Sequence, residues 1–188
     1  MRTDHLQGGF ADPARGAARG FRAALDAMAR PGRIVTTGGA QAPAPCSGAA
    51  AVLLLTLCDN TTPLHLSPSH DSDAMRAWVT FHTGAPLTGA DEAMFALGTW
   101  DSFQPVGRFR IGTPEYPDRS ATLIVELAEL SSDGPVLRGP GIADVVPLSL
   151  PETAAFRANR RHFPLGFDCY FTCEDRLAGL PRSTIVED

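Results

Sequence analysis

The sequence predicts an α/β fold with three layers, in which one mixed sheet carries helices on both of its faces. Helix-like and strand-like segments alternate along most of the chain. The most apolar strand-like segment, 121–127, has the composition of a strand that is covered on both faces. No repeat, low-complexity block or linker divides the 188 residues, so we expect a single domain spanning 1–188.

The composition fits a chain that buries a sizeable core, with 44% hydrophobic and 20% charged residues. It excludes a disordered tail, a collagen-like chain and a small disulfide scaffold. All 16 basic residues are arginine, and the absence of lysine excludes any mechanism that needs a lysine Schiff base. A net charge of -5 gives no broad basic surface for a duplex, so nucleic acid is not an expected partner, although clustered arginines still suit a small anion.

The sequence predicts a cytoplasmic protein without a membrane span. The N-terminal residues lack the apolar core of a signal peptide. The longest apolar run, 49–57 with one threonine, is about half of the roughly 18 residues that a spanning helix needs. Four cysteines would suffice for two disulfides, but in a reducing compartment we expect free thiols. The cysteines are Cys46, Cys58, Cys169 and Cys173.

An amphipathic helix is predicted near the N-terminus, capped by Asp12 and ended by Pro31-Gly32. Three arginines lie opposite its apolar stripe, and one of them, Arg22, is placed to pair with Asp26. This charged face is either a solvated surface or a contact for an acidic partner. The stripe consists of Phe10, Ala14, Ala17, Ala18, Phe21, Ala24, Leu25 and Met28.

Strands and helices alternate over the next stretch. We predict strands at 34–36 and 63–66. Between them, Ser47 caps a helix that is apolar on every side and is therefore expected to be buried. A further helix begins at Asp71 or Ser72 and ends before a nearby glycine and proline.

The middle of the chain contains the predicted central strand at 121–127. It follows a strand at 93–97 and a long excursion at 98–120, which is rich in glycine, proline and aromatic residues. A loop of that length inside a compact domain is usually functional, contact-forming or wrongly assigned. After the central strand, a turn at 131–134 predicts that 136–137 returns as its hairpin partner.

The C-terminal part predicts one helix and two paired strands. Ser149 and Glu152 have the spacing of a capping box, with the helix continuing to Asn159. Apolar and polar residues alternate strictly over 167–173, as in a strand, and 177–180 is expected to pair with it across a tight turn.

No common catalytic motif occurs, since the GxxxxGK[ST], GxGxxG, GxSxG and kinase patterns are all missing. Cys169 and Cys173 are four residues apart, which would suit metal ligands on a helix. On the predicted strand both point into the core, so we interpret them as buried thiols. The five histidines form no metal-binding pair. We therefore predict no metal site and name no catalytic residue.

Three residues are the first candidates for contacting an anionic ligand. His82 lies at the predicted end of a helix, where the helix dipole favours the imidazolium, although a simple C-terminal cap is the alternative. Arg119 and Arg138 lie beside turn residues, where side chains converge on pockets, and surface ion pairs are the alternative. Asp59, Asp168 and Arg182 also lie beside turn residues, and surface ion pairs are the alternative for them too.

Six segments, in this order, resemble the H subunit family (PhnH) of the bacterial carbon-phosphorus lyase system. They run from about residue 8 to the C-terminus, and none is a generic catalytic signature, so their joint order is specific. The segments are GGFADPARGAARGFRAALDAMARPGRI, LLTLCDNTTPLHL, FHTGAP, GTPEYPDRSATLIVEL, LRGPGI and FPLGFDCYFTCEDRLAGLPRST.

The resemblance implies a role in the use of phosphonates as a phosphorus source. The family works in a cytoplasmic core complex with G, I and J subunits. With ATP and a further nucleotide-binding partner, the complex couples a phosphonate to ribose 5-triphosphate in place of adenine, with catalysis ascribed to the I subunit. The resemblance also implies a homodimer and a fold similar to a reduced pyridoxal-phosphate transferase without its cofactor site.

Two classes of function follow. The first is a non-catalytic accessory subunit of that complex, inactive in isolation. The second is a subunit with its own anion or nucleotide binding site that contributes catalytic residues, and a third, less supported class is an unrelated free-standing enzyme. Exposed apolar surface favours the first class, and a pocket in which charged side chains converge favours the second. We expect no pyridoxal phosphate, because the chain has no lysine to hold it.

Overall fold

The computed structural model describes residues 7–187, which form two sheets and four α-helices. The strands are β1 (Val35–Thr36), β2 (Leu64–Leu66), β3 (Phe95–Thr99), β4 (Thr122–Glu126), β5 (Val136–Arg138), β6 (Val146–Pro147), β7 (Asp168–Cys173), β8 (Arg176–Leu180) and β9 (Ile185–Val186). The helices are α1 (Pro13–Ala29), α2 (Gly48–Leu57), α3 (Asp73–His82) and α4 (Ala154–Arg161).

The larger sheet is mixed and has the strand order β1-β8-β7-β4-β3-β2. Strands β2, β3, β4 and β7 are parallel, whereas β8 is antiparallel to β7 and pairs antiparallel with β1. In β4, Ile124 pairs with Leu97 on one side and Tyr170 on the other. The prediction that 121–127 forms a central strand is therefore confirmed.

The two faces of this sheet pack into two separate clusters of buried side chains. Ile124 belongs to one cluster, while its neighbours Leu123 and Val125 belong to the other, as strand alternation requires. Residues of α1, α2 and α3 complete the first cluster. Phe156 of α4 and Phe103 of a 3-10 turn contribute to the second. The mixed α/β prediction is confirmed, with helices packed against both faces.

Helix α1 has the predicted limits but a different buried face. Asp12 accepts a hydrogen bond from the Arg15 amide, as a cap does. The residues that face inward are Gly16, Gly20, Ala24 and Ala27. Close packing favours small residues here: a Cβ atom added at Gly20 would lie 2.5 Å from Oγ1 of Thr56 in α2, and the backbone of Ala27 lies against Gly179 of β8. Phe21 and Leu25 are therefore 55% and 58% exposed, so their assignment to the buried stripe was wrong.

The predicted pairing of Asp26 with Arg22 also differs from the structure. Asp26 instead forms ion pairs with Arg30 and Arg33, which lie at and beyond the C-terminal end of α1. The chain reverses direction at Gly32, which has a positive φ of 82°, and this turn brings Arg33 back towards the helix.

Residues 136–137 are not a hairpin partner of the central strand, contrary to the prediction. They belong to β5, which pairs with β6 and β9 in a separate three-stranded sheet. Leu137 is fully buried in the same cluster as Leu123, so the small sheet covers the second face of the large one. A burial requirement, rather than the nearby turn, decides the position of this strand.

The predicted capping box at Ser149 is wrong as well. Helix α4 begins at Ala154, and the Glu152 carboxylate accepts a hydrogen bond from the Ala155 amide. The Ser149 hydroxyl accepts from the Ser131 amide instead. Pro151 keeps the residue before it out of helical conformation, which delays the start of the helix.

The long segment after β3 is ordered by aromatic and ionic contacts. Strand β3 extends to Thr99, and two 3-10 turns follow it, Asp101–Phe103 and Val106–Arg108. Phe103 and Phe109 are buried edge to face, with ring centroids 5.3 Å apart. Arg182 pairs with Asp168 and donates to the Pro117 carbonyl, which ties this segment to the sheet. Of the alternatives for 98–120, the structure thus shows a segment that forms contacts, and its first two residues belong to β3.

All four cysteines are buried free thiols, as the sequence predicts. Burial raises the pKa of the Cys58 thiol to about 12 and that of Cys169 well above its usual value, so neither thiol forms a reactive thiolate readily. Among residues 7–187, no helix is both long enough and apolar enough to cross a bilayer.

Candidate functional site

A crevice of about 460 Å3 opens at the carboxyl edge of the parallel strands. This edge is where open α/β sheets place their ligands. Strand ends and the turns that follow them supply its polar side chains, and the N-terminus of α2 closes one side. It is lined by Pro45, Ser47, Ser69, His70, Thr99, Glu126, Leu127, Ala128, Cys173 and Glu174.

Glu126, the last residue of β4, is the buried carboxylate of this crevice. Its side chain is only 10% exposed. One carboxylate oxygen, Oε1, accepts a 2.6 Å hydrogen bond from the Ser47 amide at the N-terminus of α2, and Oε2 accepts a 3.0 Å bond from the Thr172 hydroxyl. Burial raises the pKa of Glu126, while these hydrogen bonds act in the opposite direction. Each oxygen retains a lone pair for a ligand.

His70 faces Glu126 from the turn after β2, with a side chain that is 1% exposed. Its Nδ1 lies 2.9 Å from Oγ of Ser69. Its Nε2 is buried and has no hydrogen-bond partner among residues 7–187; it lies 3.9 Å from Oε1 of Glu126, which is too far for a direct hydrogen bond. Burial lowers the pKa of His70 and so favours the neutral imidazole. The two side chains therefore face each other without a direct hydrogen bond between them.

Three serine hydroxyls form the network behind His70. Ser67 and Ser102 lie 2.7 Å apart, and Ser102 donates to the Thr99 carbonyl. The oxygen of Ser69 accepts the Thr99 amide hydrogen at 3.1 Å, and its own proton can be shared with the oxygens of Ser67 and Ser102, each 3.0 Å away, or donated to His70 Nδ1 at 2.9 Å. When Ser69 donates to His70, the imidazole proton lies on Nε2, the ring atom that faces Oε1 of Glu126.

The charges of the crevice do not suit an anion. Two of its lining residues, Glu126 and Glu174, carry carboxylates, and the part of the chain that the structure describes contributes no arginine to its lining. Pro45 and Leu127 provide apolar surface beside the polar groups. The arrangement therefore suits a ligand that donates N–H hydrogen bonds and presents an apolar face.

Arg119, one of the three residues proposed from the sequence, lies elsewhere, in a cavity of about 320 Å3. Its guanidinium stacks on the Tyr116 ring, 3.9 Å from the centroid. Arg110 lines the same cavity and donates to the Glu92 carbonyl. Two arginines thus line one cavity, which is compatible with a small anion.

The other two predicted contacts have different neighbours. Arg138 on β5 pairs with Glu187 at 3.0 Å and with Asp144 at 3.3 Å, so it forms the surface ion pairs that were the alternative. His82 is the last residue of α3, and its ring packs against Trp78 with centroids 4.8 Å apart. The role of all three residues as ligand contacts stays a prediction.

Sequence patterns gave only indirect signals for the crevice. His70 follows a short strand within a serine-rich turn, and Glu126 is the polar residue that ends the apolar run of β4. These two positions indicate a shared site only once β2 and β4 are known to be parallel strands of one sheet. Cys169 and Cys173 are in the core, as predicted, and within the described part of the chain no cluster of three or more potential ligands is placed for a metal ion.

Comparisons with known proteins match nearly the whole chain. The model of a family described as "Bacterial phosphonate metabolism protein (PhnH)" matches residues 8–187. The chain is 41% identical over 189 residues to the alpha-D-ribose 1-methylphosphonate 5-triphosphate synthase subunit PhnH of Rhizobium meliloti (strain 1021), covering 96% of this chain and 94% of that protein. It is 28% identical to the putative C-P lyase subunit protein HtxG of Stutzerimonas stutzeri over 180 residues, covering 88% and 83% respectively.

Proposed function

Because the chain belongs to the PhnH family of bacterial phosphonate metabolism proteins, we propose that it is a non-catalytic, accessory subunit of a carbon-phosphorus lyase core complex. In this role it is needed for coupling a phosphonate to the ribose of a purine nucleoside triphosphate. The observation that carries the proposal is the 41% identity to a subunit of a ribose 1-methylphosphonate 5-triphosphate synthase, which extends over almost the full length of both chains.

The chemistry of the described residues supports an accessory role rather than an independent enzyme. Displacement of a purine from a nucleoside triphosphate requires cationic groups around three phosphates and assistance to the departing base. The crevice presents the carboxylates of Glu126 and Glu174, and no arginine is among the described residues that line it. We therefore assign the reacting groups to other subunits.

We propose the G, I and J subunits of the complex as partners, in the cytoplasm, together with a second copy of this chain as a homodimer. The exposed pair Phe21 and Leu25 on α1 supports the homodimer contact. These side chains are four residues apart, lie on one helix face and are both more than half exposed. Exposed apolar side chains grouped in this way are typical of interaction surfaces.

We also propose that the chain is one domain with a fold similar to a reduced pyridoxal-phosphate transferase, and that it uses no pyridoxal phosphate. The parallel β2-β3-β4-β7 core with helices on both faces supports the first part. The absence of lysine from the full sequence supports the second, because pyridoxal enzymes hold their cofactor as a lysine aldimine.

Copurification tests the subunit assignment. The tagged chain is expressed with the other subunits from its own source, and the purified material is weighed by native mass spectrometry. We expect a complex of defined stoichiometry that contains this chain and the G, I and J subunits. Recovery of the chain alone, with the other subunits assembled without it, would contradict the proposal.

A second candidate role is that of a subunit with its own ligand site. The unpaired Nε2 of buried His70 beside Glu126 favours it, because a buried polar atom without a partner is costly unless something bonds to it. The cavity lined by Arg110 and Arg119 favours an anion contact in the same class of function.

A further inference from the structure

We propose that the crevice at the carboxyl edge of the sheet binds an uncharged nitrogen heterocycle with an amino group beside a ring nitrogen, as in an aminopurine. Glu126 would accept the amino hydrogen, and His70 Nε2 would donate to the ring nitrogen. The proposal does not depend on the subunit role, since it concerns binding to the isolated chain.

The spacing of the two residues is the first reason. His70 Nε2 and Glu126 Oε1 are 3.9 Å apart, so they do not satisfy each other. An amidine-like edge carries a donor and an acceptor on neighbouring atoms, and it satisfies both groups at once. A lone acceptor or a lone donor would leave one of them unpaired, which is costly at a buried position.

The hydrogen-bond network gives each group its role. Oε1 and Oε2 of Glu126 each accept one bond already, from Ser47 and Thr172, and each keeps a lone pair for a ligand N–H. His70 becomes a donor at Nε2 when the Ser69 hydroxyl donates to Nδ1. Ser69 is held for this by the Thr99 amide, which donates to its oxygen.

The charge and the shape of the crevice disfavour an anionic ligand. A phosphate or phosphonate group would meet Glu126 and Glu174 without an arginine among the lining residues. Pro45, Leu127 and Ala128 offer apolar surface for the face of a flat ring. The volume of about 460 Å3 lies within the roughly 300–1,000 Å3 of small-molecule sites.

Calorimetric titration of the full chain with 9-methyladenine, 9-methylpurine and methylphosphonate tests the proposal. The first two probes differ only by the amino group, and neither carries charge. We expect 9-methyladenine to bind and 9-methylpurine to bind at least tenfold more weakly, with no competition from methylphosphonate. No binding of 9-methyladenine, equal affinity for both rings, or displacement by methylphosphonate would overturn the proposal.

Matched variants locate the binding. Glu126→Gln and His70→Gln should each weaken 9-methyladenine about tenfold or more, because each removes a hydrogen bond that involves a charged or buried group. Glu129→Gln, an exposed carboxylate outside the crevice, should leave the affinity unchanged. Melting curves show whether each variant is folded, and a folded Glu126→Gln protein with unaltered affinity would contradict the proposal. Failure of these tests leaves complex formation untouched, so the two proposals are distinguishable.

Discussion

Nε2 of His70 lies 3.9 Å from Oε1 of Glu126, and both side chains are almost fully buried. Burial has opposite effects on the two groups: it lowers the pKa of His70 and raises the pKa of Glu126. Burial therefore disfavours the charged form of each group, while the hydrogen bonds from Ser47 and Thr172 favour the carboxylate of Glu126. This relationship leads directly to a pH-dependent difference in stability.

The first prediction concerns His70→Gln. The unfolded chain protonates this histidine near its usual pKa of about 6.5, but the folded chain protonates it only at lower pH. Wild-type stability is therefore lost as pH falls below about 6.5, by up to roughly 1.4 kcal/mol per pH unit. The variant lacks this loss, so its Tm deficit should shrink between pH 7.5 and 5.5.

The stability of Glu126→Gln relative to the wild type should change with pH in the opposite direction. A raised pKa means that the folded state holds the proton more tightly, so the wild type loses stability as pH rises from about 4.5 through the folded pKa of Glu126. Relative to the wild type, Glu126→Gln should gain stability over that rise. Parallel melting curves for both crevice variants at all pH values would contradict the assignment of these shifts.

The second prediction concerns the central strand. Ile124 is fully buried between β3 and β7, so Ile124→Asp places a carboxylate in the core without a partner. We expect a loss of roughly 3 to 5 kcal/mol in the free energy of unfolding, measured by urea titration. Ile185→Asp, on the exposed side of β9, should cost far less. An unchanged midpoint for Ile124→Asp would show that β4 is not central.

The third prediction concerns the anion contacts. The triple variant His82→Ala, Arg119→Ala, Arg138→Ala should lower phosphonate turnover by the assembled complex while the chain stays folded. The ion pairs of Arg138 are exposed to solvent, which screens them, so the loss of this side chain is tolerated. As a control for lost positive charge, Arg161→Ala, at an exposed position of α4, should retain turnover. Full turnover by the triple variant would remove support for these contacts.

The fourth prediction concerns the exposed face of α1. Phe21→Ser with Leu25→Ser should weaken self-association at least about tenfold, since burying either side chain contributes roughly 1.5–3 kcal/mol. Sedimentation velocity over a concentration series measures the change. Phe163→Ser, which removes an equally exposed aromatic residue, should remain dimeric. A dimer of unchanged affinity in the double variant would place the contact elsewhere.

Local sequence signals were sufficient for the N-terminal caps of α1 and α2 and for the central strand. Asp12 and Ser47 cap their helices as predicted, because capping depends on residues only three positions apart. The apolar run of β4 also indicated its central place. Periodicity misplaced Phe21 and Leu25, because the close approach of α1 to α2 selects glycine and alanine for the contact and turns the larger side chains outward.

The crevice was not predicted because its two main residues are 56 positions apart in sequence and meet only through the parallel register of the sheet. A lone His70 in a turn and a lone Glu126 at a strand end each look like ordinary polar residues. Likewise, β5 follows a turn that suggests a hairpin, but burial of Leu137 against the second face of the sheet decides its partners. Contacts between residues far apart in sequence therefore decide both the crevice and the partners of β5.

The accessory role is tested most directly by release of adenine. The purified chain is incubated with ATP and methylphosphonate, alone and together with the other subunits of the complex, and free adenine is measured by chromatography. We expect no release by the chain alone, release by the complete mixture, and loss of release when this chain is omitted. Adenine release by the isolated chain at the rate of the assembled complex would place the chemistry in this chain and contradict the account.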